Sequence, residues 1–116
     1  MATPVGPYTP AVRAGDFLYL SGQIGLDDNG HLVEGLTAQA RQAIGNMVAL
    51  LQENGATLAN VVKTTVFLTD AAEFPLMNEV YAELFGETLP ARSTIVVAAL
   101  PKAAQFEIEA IAHVGK

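Results

Sequence analysis

Two segments of the sequence, residues 61–68 and 93–100, have the pattern of strands whose two faces are both apolar. A sheet built from such strands must be covered on both sides. The sequence offers only two helical patterns, enough to cover one side. We therefore expect the other side of the sheet to be buried against copies of the same chain in a closed homo-oligomer.

The order of the segments predicts a single domain over residues 1–116 with an α+β fold, a sheet carrying both helices on one face and the element order ββαβαββ. The 116 residues are 51% hydrophobic, which is sufficient for one core. In the first helix, the apolar stripe lies opposite a polar set that includes Gln39. Predicted strands cover residues 17–20, 61–68, 93–100 and 106–114, a hairpin turns at 27–30, and helices run from an N-cap at Thr37 to Asn54 and from Asp70 to Gly86.

Charge and composition exclude several classes of function. The chain carries 12 acidic and 6 basic residues, a net charge of -6, and its basic residues are scattered, so no nucleic-acid partner is expected. Because the sequence has no cysteine, disulfides, thiolate metal sites and a cysteine nucleophile are excluded. His31 and His113 lack neighbouring carboxylate clusters at ligand spacing, so no metal site is expected.

The location of the protein is inferred from two further patterns. Residues 1–10 lack the basic start and apolar stretch of a signal peptide, and no apolar run approaches the roughly 20 residues that a membrane span needs. We expect no membrane partner and a cytoplasmic location.

The last predicted strand carries two carboxylates on one face. Phe106, Ile108 and the residues that alternate with them form an apolar set, whereas Glu107 and Glu109 share the opposite face. If that face is the oligomer interface, partial burial raises the pKa of one or both and suits a carboxyl group to proton transfer near neutral pH. The alternative, that both are solvated charges on an edge strand, is equally consistent with the pattern.

Arg92 stands at the entrance of the strand at 93–100. A lone arginine there is most often a solvated charge, yet its planar set of donors suits it to bind a small carboxylate in a bidentate manner. If the last two strands form an antiparallel hairpin, Arg92 and Glu107 lie on the order of 20 Å apart at ~3.3 Å per residue. A site that uses both would then be built from two chains.

Several motifs occur together along the chain: Gly6-Pro7-Tyr8, Leu20-Ser21-Gly22-Gln23-Ile24, Gln39-Ala40-Arg41-Gln42, Val62-Lys63-Thr64-Thr65-Val66-Phe67, Asn78 with Tyr81, Pro90-Ala91-Arg92-Ser93, Leu100-Pro101 and Glu107-Ile108-Glu109-Ala110-Ile111-Ala112. With these motifs the sequence resembles the RidA family, also called the YjgF family, over nearly the whole chain. The resemblance implies a chorismate-mutase-like fold, a homotrimer with sites between subunits, and a cofactor-free hydrolase: a 2-iminobutanoate/2-iminopropanoate deaminase that releases a 2-keto acid and ammonia in metabolite damage control.

The resemblance also implies roles for individual residues. Arg92 corresponds to the clamp on the substrate carboxylate, and Glu107 to the group that activates water. Tyr8, Ser21 and Asn78 correspond to supporting polar residues, while the backbone around Gly22 and the apolar Pro101 complete the pocket.

The chain departs from the family pattern at two positions. Thr94 stands in the pocket wall where family members often have cysteine, which leaves the preference among imine side chains open, and Gly25 stands where proline is common. Two alternatives also stay open: deamination of another enamine, of the aminoacrylate or aminomuconate type, and a non-catalytic trimer that binds small carboxylates or acts as a chaperone.

Overall fold

The chain forms five strands and two α-helices in the order ββαβαββ, as the sequence predicts. The computed structural model describes residues 6–115, so the two ends of the predicted domain, residues 1–5 and 116, lie outside the described residues. The elements are β1 (Ala11–Ala14), β2 (Phe17–Ile24), α1 (Leu36–Glu53), β3 (Val61–Leu68), α2 (Phe74–Phe85), β4 (Ala91–Val96) and β5 (Phe106–His113).

The strands form one mixed sheet in the order β1-β2-β5-β3-β4. The last strand, β5, lies in the middle and pairs antiparallel with both β2 and β3. The expected hairpin between the last two strands is wrong, because β4 pairs instead with β3, and in parallel. α2 carries the chain from the end of β3 back to the start of β4, and such a crossover connects parallel strands.

Both helices pack on one face of the sheet, as expected. Alternate side chains of the inner strands point toward α1 and α2 and are buried with them. This core includes Leu18, Leu20, Val66, Leu68, Phe106 and Ile108 from the sheet and Ala40, Ile44, Met47, Leu51, Met77 and Phe85 from the helices.

The face of the sheet turned away from the helices, here called the open face, has no cover from the described part of the chain. Phe17 and Tyr19 of β2 are 39% and 46% exposed on it, and Ile95 of β4 is 45% exposed. An apolar surface of this kind is the feature that led us to expect an oligomer. The oligomer itself stays a prediction.

Several boundaries differ from those predicted. α1 begins at Leu36 with Gly35 as its N-cap, not Thr37, and Gln39 is buried rather than on the polar side of the helix. β4 ends at Val96 instead of continuing to residue 100. The predicted hairpin at 27–30 is reduced to one bridge, between Leu26 and Leu32, and β1 takes the place of the second early strand.

Within residues 6–115, no helix has the length and apolar character needed to cross a membrane. The same residues contain no group of three His, Asp or Glu side chains that could hold a metal ion.

Gly25 lies where α1 approaches the end of β2 most closely. A Cβ added there would lie 2.7 Å from the Cα and 2.9 Å from the carbonyl oxygen of Gln39, and neither backbone atom can move without shifting α1. We expect Gly25→Ala to lower the free energy of unfolding by about 1–3 kcal/mol. Urea denaturation of variant and wild type at equal protein concentration measures the difference.

Gly45, in the middle of α1, is the matched control for this substitution. A Cβ at Gly45 would meet nothing within 4 Å, so Gly45→Ala should raise stability by roughly 0.5–1 kcal/mol through the helix preference of alanine. If Gly25→Ala stabilises the protein as Gly45→Ala does, the close approach of α1 at Gly25 is refuted.

Candidate functional site

Arg92 lies on the same face of the sheet as the helices. In the parallel register of β3 and β4 it stands opposite Thr64, which is fully buried beneath α2. Residues directly opposite each other in neighbouring strands share a face. Arg92 is therefore directed toward α2 rather than toward the open face.

Two aromatic rings of α2 hold the Arg92 guanidinium. Its central carbon lies 4.8 Å from the centre of the Tyr81 ring and 5.7 Å from that of Phe74, and one nitrogen lies 3.8 Å from the Met77 sulfur. Cation–π contacts of this kind stabilise a charge without neutralising it. Because the described residues form one ion pair only, between Arg41 and Glu83, no described carboxylate neutralises Arg92.

Tyr81 is itself fixed from two sides. Its hydroxyl shares a buried hydrogen bond of 2.8 Å with Oγ1 of Thr64, and its ring stacks on Phe85 with the centres 4.1 Å apart. Burial raises the pKa of Tyr81, against smaller opposing effects from Thr64 and Arg92, so the ring stays neutral at physiological pH. The Tyr81 ring on which Arg92 rests is thus neutral and held in place.

Thr94 and Asn78 lie on the same side as Arg92. Thr94 stands opposite the buried Val66, two residues beyond Arg92 on β4. Asn78 belongs to the stripe of α2 that carries Phe74 and Tyr81, since it follows the one by four residues and precedes the other by three. We call Arg92, Thr94 and Asn78 the arginine half-site.

Glu107 lies on the open face, at a bulge in the neighbouring strand. The pairing of β2 with β5 shifts between Leu20 and Gln23, so that Ser21 and Gly22 together stand opposite one residue of β5, Glu109. The Glu107 carboxylate occupies the space beside Gly22, where an added Cβ would overlap it. Only glycine at position 22 leaves room for Glu107 in this position.

The environment of Glu107 favours its protonated form. Burial raises the pKa of its carboxyl group, and the neighbouring negative charge of Glu109 raises it further. The expected partial burial is found for Glu107 and not for Glu109, which is exposed. The alternative of two solvated carboxylates on an edge strand is wrong for Glu107, because β5 is the central strand of the sheet.

Ser21 lies beside Gly22 in the bulge and ties the preceding loop to it. Its hydroxyl donates to the Thr9 carbonyl at 2.7 Å, and its backbone N–H donates to the Pro10 carbonyl at 2.8 Å. Tyr8, which is 46% exposed, immediately precedes Thr9 and so belongs to the loop that Ser21 holds. We call Ser21, Gly22 and Glu107 the glutamate half-site.

Pro101 lies apart from both half-sites in sequence, at the start of a short 3-10 turn, Pro101–Ala103, that leads toward β5. The next two residues, Lys102 and Ala103, have φ values of 56° and 58°. These are left-handed conformations that are costly for residues other than glycine. Strained backbone thus leads into the strand that carries Glu107.

One chain does not bring the two half-sites together. Thr64, opposite Arg92, and Phe67, opposite Glu107, are three residues apart on β3. Arg92 and Glu107 stand on the strands on either side of β3, so the Cα atoms of Arg92 and Glu107 are roughly 14 Å apart. The side chains also point to opposite faces. The hairpin from which we inferred a separation of about 20 Å is wrong, and the two residues are closer than predicted but still apart within one chain.

Sequence reasoning missed the aromatic support of Arg92. Met77 and Tyr81 fit the inward stripe of α2, and nothing in that stripe indicates that an arginine would pack against it. The available signal is the spacing of Phe74 and Tyr81, seven residues apart and therefore on one helix face.

A single mixed sheet with two helices on one face, and charged groups set into both of its faces, defines a small α+β protein. Residues 1–114 match the sequence model of the family described as Endoribonuclease L-PSP. The crystal structure of RidA from the Antarctic bacterium Psychrobacter sp. superposes with a TM-score of 0.94 at 42% identity, over 97% of this chain and 92% of that one. The chain belongs to this family, the RidA or YjgF family.

Two further relatives carry functional information. The human protein named 2-iminobutanoate/2-iminopropanoate deaminase is 47% identical over 113 residues, covering 96% of this chain and 82% of the human one. A crystal structure of Escherichia coli TdcF with bound serine has a TM-score of 0.92 at 37% identity and covers 97% of this chain and 91% of that one.

The raised pKa of Glu107 makes a prediction about stability. Because the folded-state pKa lies above the unfolded value, the ionised carboxylate destabilises the folded state above the folded pKa, and this cost disappears below the unfolded pKa of about 4.3. Glu107→Gln removes the charge. We expect its stability relative to wild type to rise as the pH increases from about 4 through the raised pKa. Urea denaturation across that range measures this, and a relative stability that falls with pH would contradict it.

Proposed function

We propose that the protein hydrolyses 2-imino acids, specifically 2-iminobutanoate and 2-iminopropanoate, to 2-keto acids and ammonia. The observation that carries the proposal is the state of Arg92, whose guanidinium is held by Tyr81 and Phe74 with no described carboxylate paired to it. Such a group is prepared to bind an anionic ligand. The name of the human relative, a 2-iminobutanoate/2-iminopropanoate deaminase, supports the same substrate class.

We further propose that the active form is a closed homotrimer in which the arginine half-site of one chain meets the glutamate half-site of its neighbour. Two observations support this arrangement. Arg92 and Glu107 lie on opposite faces of the sheet in one chain. The open face beside Glu107 exposes Phe17, Tyr19 and Ile95, which an adjacent copy would bury.

The proposed reaction needs only a charge anchor, a base and a water molecule. The carbon of a protonated imine is already electrophilic, so Arg92 binds the carboxylate and holds that carbon in place. Glu107 accepts a proton from a water molecule while the oxygen of that water bonds to the imine carbon. The product is a carbinolamine. Glu107 then returns the proton to the nitrogen, and the carbon–nitrogen bond breaks as the hydroxyl group loses its own proton to Glu107 and becomes the keto carbonyl, so that ammonia and the 2-keto acid are released.

The other predicted site residues would position the reactants. Ser21 uses its hydroxyl proton on the Thr9 carbonyl, so its oxygen is available as an acceptor for water or the imine nitrogen. Tyr8 and Asn78 would form hydrogen bonds with the substrate or with the water molecule. Thr94 and Pro101, with the backbone at Gly22, would form the walls around the imine side chain.

Other properties of the chain and its relatives fit this proposal. Serine bound to TdcF is a small carboxylate with an α-nitrogen, as is a 2-imino acid. The family description as an endoribonuclease is not supported by charge, because the net charge of -6 repels a phosphate backbone. The cytoplasmic location and the role in metabolite damage control stay predictions.

The proposal is tested by generating 2-iminobutanoate or 2-iminopropanoate in situ and trapping the residual imine with semicarbazide. Wild type should accelerate keto-acid release. Arg92→Ala should lower kcat/KM by about ten- to a hundred-fold and Glu107→Ala by about a hundred-fold or more. Arg92→Lys should lose most activity, because an ammonium group cannot form the bidentate pair.

Arg13→Ala, at an exposed arginine of β1, is the matched control and should keep wild-type activity. No acceleration of either imine by wild type would refute the deaminase proposal. In that case, activity on an aminoacrylate-type enamine would favour the alternative substrate, and saturable binding of a 2-keto acid without any turnover would favour a non-catalytic binding protein.

The placement of the site between chains has its own test. Arg92→Ala and Glu107→Ala chains are unfolded together, refolded as a mixture and assayed. Some mixed assemblies then contain a site with both native residues, so a fraction of wild-type activity should return. If mass spectrometry shows mixed assemblies but no activity returns, Arg92 and Glu107 do not act together across chains.

A further inference from the structure

A buried glutamine of α1 is bonded to the residue that precedes β5. Gln39 is only 3% exposed, and its side-chain oxygen accepts the backbone N–H of Gln105 at 2.7 Å. Its side-chain nitrogen donates to the side-chain oxygen of Gln105 at 3.2 Å. Both polar atoms of Gln39 are therefore used on one residue, two positions before Glu107.

Gln105 is held from a second side as well. Its side-chain nitrogen donates to the Glu73 carboxylate at 3.2 Å, and Glu73 immediately precedes Phe74, the first residue of α2. Phe74 is one of the two rings that contact Arg92. The bonds of Gln39 and Gln105 thus connect α1, the start of α2 and the start of β5.

The bonds to Gln39 also lie next to the strained turn. Lys102 and Ala103 both adopt left-handed backbone conformations, and the N–H of Ala104 closes the turn by donating to the Pro101 carbonyl at 3.1 Å. Such a conformation persists only where the surrounding structure holds it. The bond from the Gln105 amide to Gln39 lies one residue beyond Ala104 and fixes the chain where it leaves the turn.

Gly25 permits this contact. An added Cβ at position 25 would overlap the backbone of Gln39, so the absence of a side chain there allows α1 to approach the sheet closely. Gln39 can then reach Gln105, the residue that precedes β5. Its burial follows from this packing.

We propose that Gln39 is a positioning residue for the reaction, acting through Gln105 on Glu107. It keeps the strained Pro101–Ala103 turn closed and sets the start of β5, so that the Glu107 carboxylate stays in the space beside Gly22. The role rests on the function proposed above, since it concerns the same site. Gln39 does not itself touch the proposed substrate.

The test compares Gln39→Leu with Gln42→Leu, a matched control on the same helix whose side chain donates only to Asn46 of that helix. Both are measured as purified assemblies. Gln39→Leu should lower kcat by about ten- to a hundred-fold, the loss that follows from a small misplacement of a reacting group, with KM within about three-fold of wild type. Gln42→Leu should keep the wild-type kcat.

A second measurement separates positioning from general destabilisation. The pKa of the Glu107 carboxyl group, followed by NMR in each folded variant, should fall toward the ordinary glutamate value in Gln39→Leu and stay raised in Gln42→Leu. A folded Gln39→Leu with wild-type kcat and an unchanged Glu107 pKa overturns the proposal. So does a variant with lower stability but unchanged kcat.

Two outcomes need a further variant or readout. If Gln39→Leu does not fold, Gln39→Met replaces it, because methionine has nearly the length of glutamine and removes both bonds to Gln105. A kcat below that of Gln42→Leu then supports the proposal, and an equal kcat overturns it. If wild type hydrolyses neither imine, the proposed function fails, and the Glu107 pKa in the folded variants still decides whether Gln39 positions this carboxylate.

Discussion

The structure depends on the pairing of β5 with two strands at once. β2 and β3 do not pair with each other, so the ladders from β5 to each of them join the sheet into one unit. The alternation of β5 then determines its two faces. Phe106 and Ile108 enter the core beneath the helices, while Glu107 is carried to the open face by the same register. The alternation of β5 therefore supplies both a central part of the core and the carboxylate of the glutamate half-site.

The two faces of the sheet give the two charged groups different surroundings. Arg92 rests on neutral aromatic rings, which hold a cation without supplying an anion. The Glu107 carboxylate lies beside Gly22 on the open face, where burial raises its pKa. Within one chain, each group therefore has surroundings that are set by its own face of the sheet.

The strands and helices were predictable because their patterns are local. β3 was predicted with its observed bounds, α1 and α2 with small errors, and the burial of one face of β5 from alternation alone. Strand pairing was not predictable, since the sequence does not specify that β5 enters between β2 and β3. The assumed hairpin of β4 with β5 was the natural short-range choice, and it was wrong.

The candidate site follows the same division. The family motifs identified Arg92 and Glu107, but their faces, the aromatic support at Tyr81 and the fit of Glu107 beside Gly22 all depend on which strands are neighbours. Gln39 was placed on the polar side of its helix, because periodicity records polarity and not hydrogen-bond partners. A buried polar side chain whose partner lies 66 positions away leaves no local pattern.

The central place of β5 also bears on how the chain acquires its structure. Before β5 is synthesised, the remaining strands can form only two separate pairs, β1 with β2 and β3 with β4, and two-stranded sheets are marginal in water. Their inner edges stay open until the last of the five strands joins them. Cooperative folding must therefore wait until β5 has left the ribosome, and the carboxylate of Glu107 arrives with the segment that completes the sheet.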